Sequence, residues 1–362
     1  MRTRLIILLL TFFVLVGFSG GYVVGGLQSY ARYQQSNFAN QEHCGDQPPV
    51  HICARVPLAI FSAYYPAYVA SQSHLFTIEY SSSNPMALVI SVSIVGLSRV
   101  QLQTVNATTT LQSVSILPPL IPENLRKLTF EEHTSLHVQV TDNSKKLYYL
   151  NDIPLVLHSR WAMQWTAANR LNIAAWVTPN DPAIGALVLK AAVQLPLEPP
   201  PVPNAMVGYS RANAKQVIAQ VDAIYDALRV DYKIRYLQAS VPYSGPGVAS
   251  AATQNIKLPG EILQQRSGMC IELALLLASA VEHIGLHAEI VIIPGHAFLG
   301  VSVTPDDKHF EYWDAVQVNN NVVGDSANVA TDEVYALNVR QHTIVDTIVI
   351  SDARNAYIDA ML

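Results

Sequence analysis

The stretch Gln254-Asn-Ile-Lys-Leu-Pro-Gly-Glu-Ile-Leu-Gln-Gln-Arg-Ser-Gly-Met-Cys270-Ile-Glu-Leu-Ala-Leu-Leu-Leu-Ala-Ser-Ala-Val-Glu-His-Ile-Gly285 decides how the C-terminal half is read. From Cys270 to Ile284 nearly every residue is a good helix former, and Gly285 is a natural stop. The run is apolar on most sides, so the helix is expected to be buried. Gly268, two places before the cysteine, allows backbone or substrate to come close. Cys270 therefore opens a buried helix, where unpaired N–H groups and the helix dipole favour negative charge on sulfur.

Immediately downstream, Ala288-Glu-Ile-Val-Ile-Ile293 and Ala297-Phe-Leu-Gly-Val-Ser-Val303 read as strands joined by Pro294-Gly295, with His296 opening the second. A polar stretch, Thr304–His309, leads to Phe310-Glu-Tyr-Trp-Asp314. If those last two runs pair as neighbours, His296 and Asp314 come side by side. A thiol, an imidazole and a carboxylate are the groups that a cysteine nucleophile needs: base, orienting acid and attacking sulfur. Glu311 is a rival acid, but its odd offset along the strand points it to the opposite face. Glu272 reads as a structural helix residue. His283 and His287 flank the Gly285 turn and should face solvent, and no second cysteine is near enough to make a metal site with them.

Gly268-Met-Cys270-Ile-Glu-Leu-Ala274 on a helix, Gly295-His-Ala-Phe298 on a strand and an acid on the next strand resemble the transglutaminase-like superfamily, whose core is papain-like. The phrase Leu258-Pro-Gly-Glu-Ile-Leu263, followed by Gly268-Met-Cys270 and Pro294-Gly-His-Ala-Phe298, is similar to bacterial, membrane-anchored members. The match is dense from Gln254 to Asp314, and Asn338–Tyr357 weakly resembles the closing strand and helix. The resemblance implies Cys270 as nucleophile, His296 as general base and Asp314 as orienting acid, with a thioester intermediate on peptide amide bonds. Water would then give hydrolysis and an amine would give acyl transfer. The backbone N–H of Cys270 and the amide of Gln254 are the candidate oxyanion donors, with Gln264 and Gln265 as rivals. The pattern also departs from the family's. Phe298 stands where a Trp is frequent, and Ala315-Val316 where Pro-Thr often follows the acid, which leaves the substrate class open. No cofactor and no metal are implied, since no acidic calcium loop is seen. The alternative is a catalytically inactive scaffold that binds a cell-surface or envelope partner.

Working outward to the N-terminus, Arg2 and Arg4 precede an uncharged apolar run from Leu5 to about Leu27. A run of this length suffices for a transmembrane helix, and the arginines would hold the N-terminus in the cytoplasm. A cleaved signal peptide is the rival reading. Gly17, Gly21 and Gly25 form a stripe that would suit pairing of two helices and hence a homo-oligomer, though glycine is common in membrane helices anyway. The expected location is thus the cell membrane, single-pass, with everything after residue 27 extracytoplasmic and acting on peptide or cell-envelope material. Of three cysteines, Cys44 and Cys53 flank a turn-rich Gly45–Pro49 loop and are the candidates for a disulfide, leaving Cys270 free.

Between anchor and helix the period changes twice. Leu75–Tyr80, Met86–Val95 and Leu136–Val140 alternate or are rich in β-branched residues, with turns at Ser81–Pro85 and Thr141–Ser144. Several short strands without a convincing helix suggest an Ig-like β-sandwich. After Thr178, Asp181-Pro182 begins a helical run to Val193, then prolines crowd 195–203, and Ala212–Leu228 reads as an amphipathic helix with Val217, Val221, Ile224 and Leu228 on one stripe. Pro242–Thr253 reads as a loop. The expected organisation is 1–27 cytoplasmic start and transmembrane anchor, 28–56 juxtamembrane stalk, 57–165 β-sandwich, 166–204 helical and proline-rich connector and 205–362 transglutaminase-like domain, an α+β whole. A net charge of −5 with no long run of one sign gives no footprint for nucleic acid.

Overall fold

The computed structural model describes residues 40–70, 75–197, 205–210, 212–245 and 252–361. The chain is α+β. Its first half contains strands β1 (Asn40–Gln47), β2 (Val50–Pro57), β3 (Ala59–Phe61), β4 (Phe76–Ser82), β5 (Met86–Ile94), β6 (Gln101–Ala107), β7 (Gln112–Ile116), β8 (Glu132–Asp142) and β9 (Leu147–His158). They form a four-stranded sheet, β1-β2-β4-β7, and a five-stranded sheet, β3-β9-β8-β5-β6. Alternation explains the packing: Ile52, Ala54 and Val56, Phe76 and Ile78, Leu88, Ile90 and Val92, and Leu136 and Val138 all turn inward to one core.

The hairpin β1–β2 lies inside the stretch expected to be a stalk. Glu42, Cys44, Asp46 and Gln47 keep β1 polar because it is an edge strand with no buried residue, so the alternating signal is missing there. The expected transmembrane element also needs correction. Among the described residues, no helix is long and apolar enough to cross a membrane. The longest, Gly324–Gln341, carries Asp325, Asp332, Glu333 and Arg340, which a bilayer core would not accept. The run from Leu5 to Leu27, with its glycine stripe, lies outside the described residues.

The second half places β14 (Ala288–Ile293), β15 (His296–Ser302), β16 (Phe310–Trp313) and β17 (Asp346–Val349) in an antiparallel sheet ordered β16-β15-β14-β17. Before it come four short strands: β10 (Ala162–Trp165), β11 (Arg235–Tyr236), β12 (Ala252–Asn255) and β13 (Ser267–Gly268). The helix Cys270–His283 packs on the face presented by Ile290, Ile292, Ala297, Leu299 and Val301. Helix Ala214–Ala227, closed by a reciprocal Asn213–Gln216 capping box, packs on it from the outside.

Two pieces expected elsewhere belong to this half. Helix Pro182–Gln194, capped by Asp181 onto the Ala183 N–H, packs on both helices just named rather than serving as a connector. Strand β10, within the stretch expected to be sandwich, pairs with β12 instead, Trp165 opposite Ala252 and Met163 opposite Gln254.

The opposite face of the β14–β17 sheet has its own small core of Val291, Phe298 and Tyr312, with Tyr335 of helix Gly324–Gln341 stacked on Tyr312. Phe298 is thus a core residue on this face. Glu289 is buried on the same face. A Cβ on Gly300 would come within 2.7 Å of its Cγ, so glycine is what leaves it room. Burial, reinforced by the charge of Asp307 and opposed by a hydrogen bond with Tyr312, pushes the Glu289 pKa up to about 7. Because the folded value exceeds the ordinary 4.5, the protonated acid contributes stability that is full below pH 4.5 and lost as pH rises through 7. Glu289→Gln should therefore raise stability above pH 7 by about 3 kcal/mol and leave it nearly unchanged at pH 4. Urea unfolding at the two pH values checks this.

Candidate active site

Cys270 is the first residue of its helix, with only 1% of its surface exposed. Its thiol points to the carbonyl of Ala239 at 3.6 Å. What fixes this position is Glu272, also 1% exposed, which accepts from the Met269 N–H at 2.9 Å and the Lys257 N–H at 2.8 Å. The Lys257 ammonium lies 3.5 Å from the same carboxylate, compensating its charge. Gly268 is required by packing, since a Cβ there would meet the Leu273 side chain at 2.9 Å.

The chain reaches His296 through Pro294 and Gly295, whose φ of +74° makes the tight turn into β15. Strands β15 and β16 pair with Leu299 opposite Trp313, which brings the next residue, Asp314, to the imidazole. His296 Nε2 is 2.8 Å from Asp314 Oδ2, and the Cys270 side chain lies near enough to the ring to raise its pKa. Because Nε2 is engaged by the acid, Nδ1 is the nitrogen left for the thiol. Burial alone would lower the His296 pKa. The Asp314 hydrogen bond, the Cys270 side chain and the charges of both outweigh it and push the value up to about 10. Asp314 is itself held from three sides: its N–H donates to Thr331 Oγ1 at 3.0 Å, Oδ1 accepts from the Val316 N–H at 3.1 Å, and Oδ2 faces the histidine.

Gln254 sits on β12 beside the helix start. Its Oε1 accepts from the Trp165 indole at 2.9 Å, which turns the NH2 group toward Ser240 O at 3.4 Å and the Met269 sulfur at 3.9 Å. The rivals are further out. Gln264 and Gln265 are exposed, and Gln265 accepts from the Lys257 ammonium. Glu311 does not approach His296. It lies beside Asp332, whose pKa is pushed well up by burial and by the neighbouring Glu311 carboxylate. His283 bonds to the Pro179 carbonyl and His287 to Asp307, both outside the site. The Cys44–Cys53 disulfide is formed, in the first sheet.

Several supporting residues carry no sequence signal. Trp165 is 89 positions from the glutamine it orients. Tyr236 is tied to Asn319 through both its N–H (2.9 Å) and its carbonyl (3.4 Å) and lies near enough for Cys270 charge to raise its pKa, after burial as the larger cause. Among the described residues, no cluster of metal-ligating groups includes Cys270, His296 or Asp314.

Residues 212–323 match the family model described as "Transglutaminase-like superfamily". That span contains the thiol, the imidazole and the carboxylate but neither Trp165 nor helix Gly324–Gln341. No curated protein matches the chain.

The raised His296 pKa has a measurable signature. Its stabilising contribution is full below the ordinary 6.5 and lost as pH rises toward 10. In Asp314→Asn, the imidazole should titrate markedly lower than in the wild type, which should stay protonated through neutrality. Histidine NMR titration of the two proteins distinguishes these outcomes.

Proposed function

We propose that the transglutaminase-like domain of this chain is a cysteine hydrolase or acyltransferase working on peptide amide bonds outside the cytoplasm. The observation that carries the reading is the imidazole of His296, hydrogen-bonded to Asp314 and near enough to the Cys270 side chain for the two to interact. Such a pair delivers a thiolate and an imidazolium together. The sulfur attacks the amide carbon. The Cys270 N–H and the Gln254 NH2 group stabilise the oxyanion, and the imidazolium gives its proton to the leaving amine. A thioester on Cys270 remains. His296, now neutral, takes a proton from water or from an incoming amine, and the thioester resolves to acid or to a new amide. Asp314 keeps the ring oriented and its charge compensated throughout. The Cys44–Cys53 disulfide supports an oxidising compartment, and so peptide or cell-envelope substrates.

One observation favours a second reading, a non-catalytic scaffold that binds an envelope partner. Cys270 is 1% exposed beneath the Ala239 carbonyl, so the segment from Tyr236 to Val241 has to shift before a substrate carbonyl can reach sulfur.

Two measurements separate the readings. Iodoacetamide should label Cys270 in the folded protein at a rate that falls at least tenfold in His296→Ala. With glutamine-containing peptide amides, intact-mass spectrometry should find an acyl adduct that Cys270→Ala lacks, and Gln254→Ala should lower turnover about 100-fold. Labelling only on unfolding, with no adduct, would leave the scaffold reading standing.

A further inference from the structure

The solvent-facing side of hairpin β1–β2 carries three cross-strand pairs in succession: Glu42 opposite Arg55, Cys44 opposite Cys53, and Asp46 opposite His51. The middle pair is the disulfide. Cys44 is exposed while Cys53 is 5% exposed. His51 Nε2 lies 3.4 Å from Cys53 Sγ, and its Nδ1 is bonded to Asp46 Oδ1. On the other side of the sulfurs, Arg55 is held by Glu42 at 3.2 Å and by Glu79 at 3.1 Å. The bridge spans only nine positions in a hairpin already zipped by eight residue pairs, and its side chains face away from the core. Loop-closure entropy for so short a span lies toward the low end of the usual disulfide range.

We propose that Cys44–Cys53 is a thiol–disulfide exchange site, with His51 and Asp46 as its proton-handling pair and a dithiol as its exchange partner. The asymmetry of the two sulfurs sets the direction of attack. A thiolate of the dithiol reaches the exposed Cys44 Sγ and forms a mixed disulfide, and the Cys44–Cys53 bond breaks. Cys53 leaves with the bonding electron pair, beside an imidazole that donates a proton through Nε2 while Asp46 bonds to Nδ1. Stabilising the leaving sulfur is what accelerates such a step. The second thiol of the partner then attacks its own sulfur in the mixed disulfide and departs as a disulfide. Cys44 is released as a thiolate and takes up a proton. Two electrons and two protons have passed from the dithiol to the protein, and oxidation runs by the reverse path. The inference is independent of the chemistry at Cys270, which is buried in the other half of the molecule.

The test uses the full chain, folded throughout, with dithiothreitol as the dithiol and reduced glutathione as a monothiol that stops at the mixed disulfide. Acid quenching and site-resolved mass spectrometry follow Cys44 and Cys53 separately from Cys270, while near-ultraviolet circular dichroism reports tertiary structure. The expected result is reduction without loss of the dichroism signal, glutathione found on Cys44, and a rate about tenfold lower in His51→Ala. His51→Gln, which keeps much of the ring's bulk and a hydrogen bond, should be slowed likewise and guards against a misfolded alanine variant. Reduction only after the dichroism signal is lost, or wild-type rates in both variants, would overturn the proposal.

Discussion

One buried carboxylate sets the geometry on which the thiol site depends. Glu272 receives the N–H of Met269, immediately before the cysteine, and the N–H of Lys257, in the segment that follows β12. It therefore fixes the start of the helix and the strand bearing Gln254 with the same side chain. Its charge is offset by the Lys257 ammonium, which is also bonded to the Ser267 carbonyl at 2.7 Å. Breaking such a buried pair from one side typically costs about 3–5 kcal/mol, because the remaining charge is left unpaired. Here that cost would fall on the placement of sulfur as much as on stability.

A second constraint works from the opposite side of the sheet. Helix Gly324–Gln341 covers the small core around Phe298 and Tyr312, and its Thr331 hydroxyl accepts the Asp314 N–H. The side chain of Asp314 is therefore aimed by backbone that this helix holds. The thiol is positioned from the front of the sheet and the acid from the back, and the histidine, entering β15 through the Gly295 turn, meets both.

The helix beginning at Cys270, the two strands after it and the acid after Trp313 were legible because each obeys a local rule: helix formers closed by glycine, β-branched runs, a Pro-Gly break. Asp181 as a cap and the stripe on Ala214–Ala227 were legible for the same reason. The role of Trp165 was not, because a single indole reaching a glutamine 89 positions away leaves no period or motif. β1 was hidden by being an edge, and helix Pro182–Gln194 was read as a helix but assigned to a connector, because the prolines after it resemble linker composition. Phe298 looked like a departure from a motif. In the structure it fills the core behind the sheet, a requirement of shape that the motif alone does not express.

The pairing of β10 with β12 bears on what counts as a module. Residues 161–178 cross from one half to the other and are stitched there repeatedly. Trp176 donates to the Ile256 carbonyl, the Thr178 N–H to Ser279, Arg354 to the Val177 carbonyl, and the Met361 N–H to the Ala175 carbonyl. Residues 212–323 mark where ancestry is visible, yet the physical unit begins some fifty residues earlier. A piece excised at the visible boundary would keep the thiol, imidazole and carboxylate but lose the strand beside Gln254 and a helix from the core. Inheritance and folding thus draw different borders on this chain, and the candidate chemistry lies within the wider one.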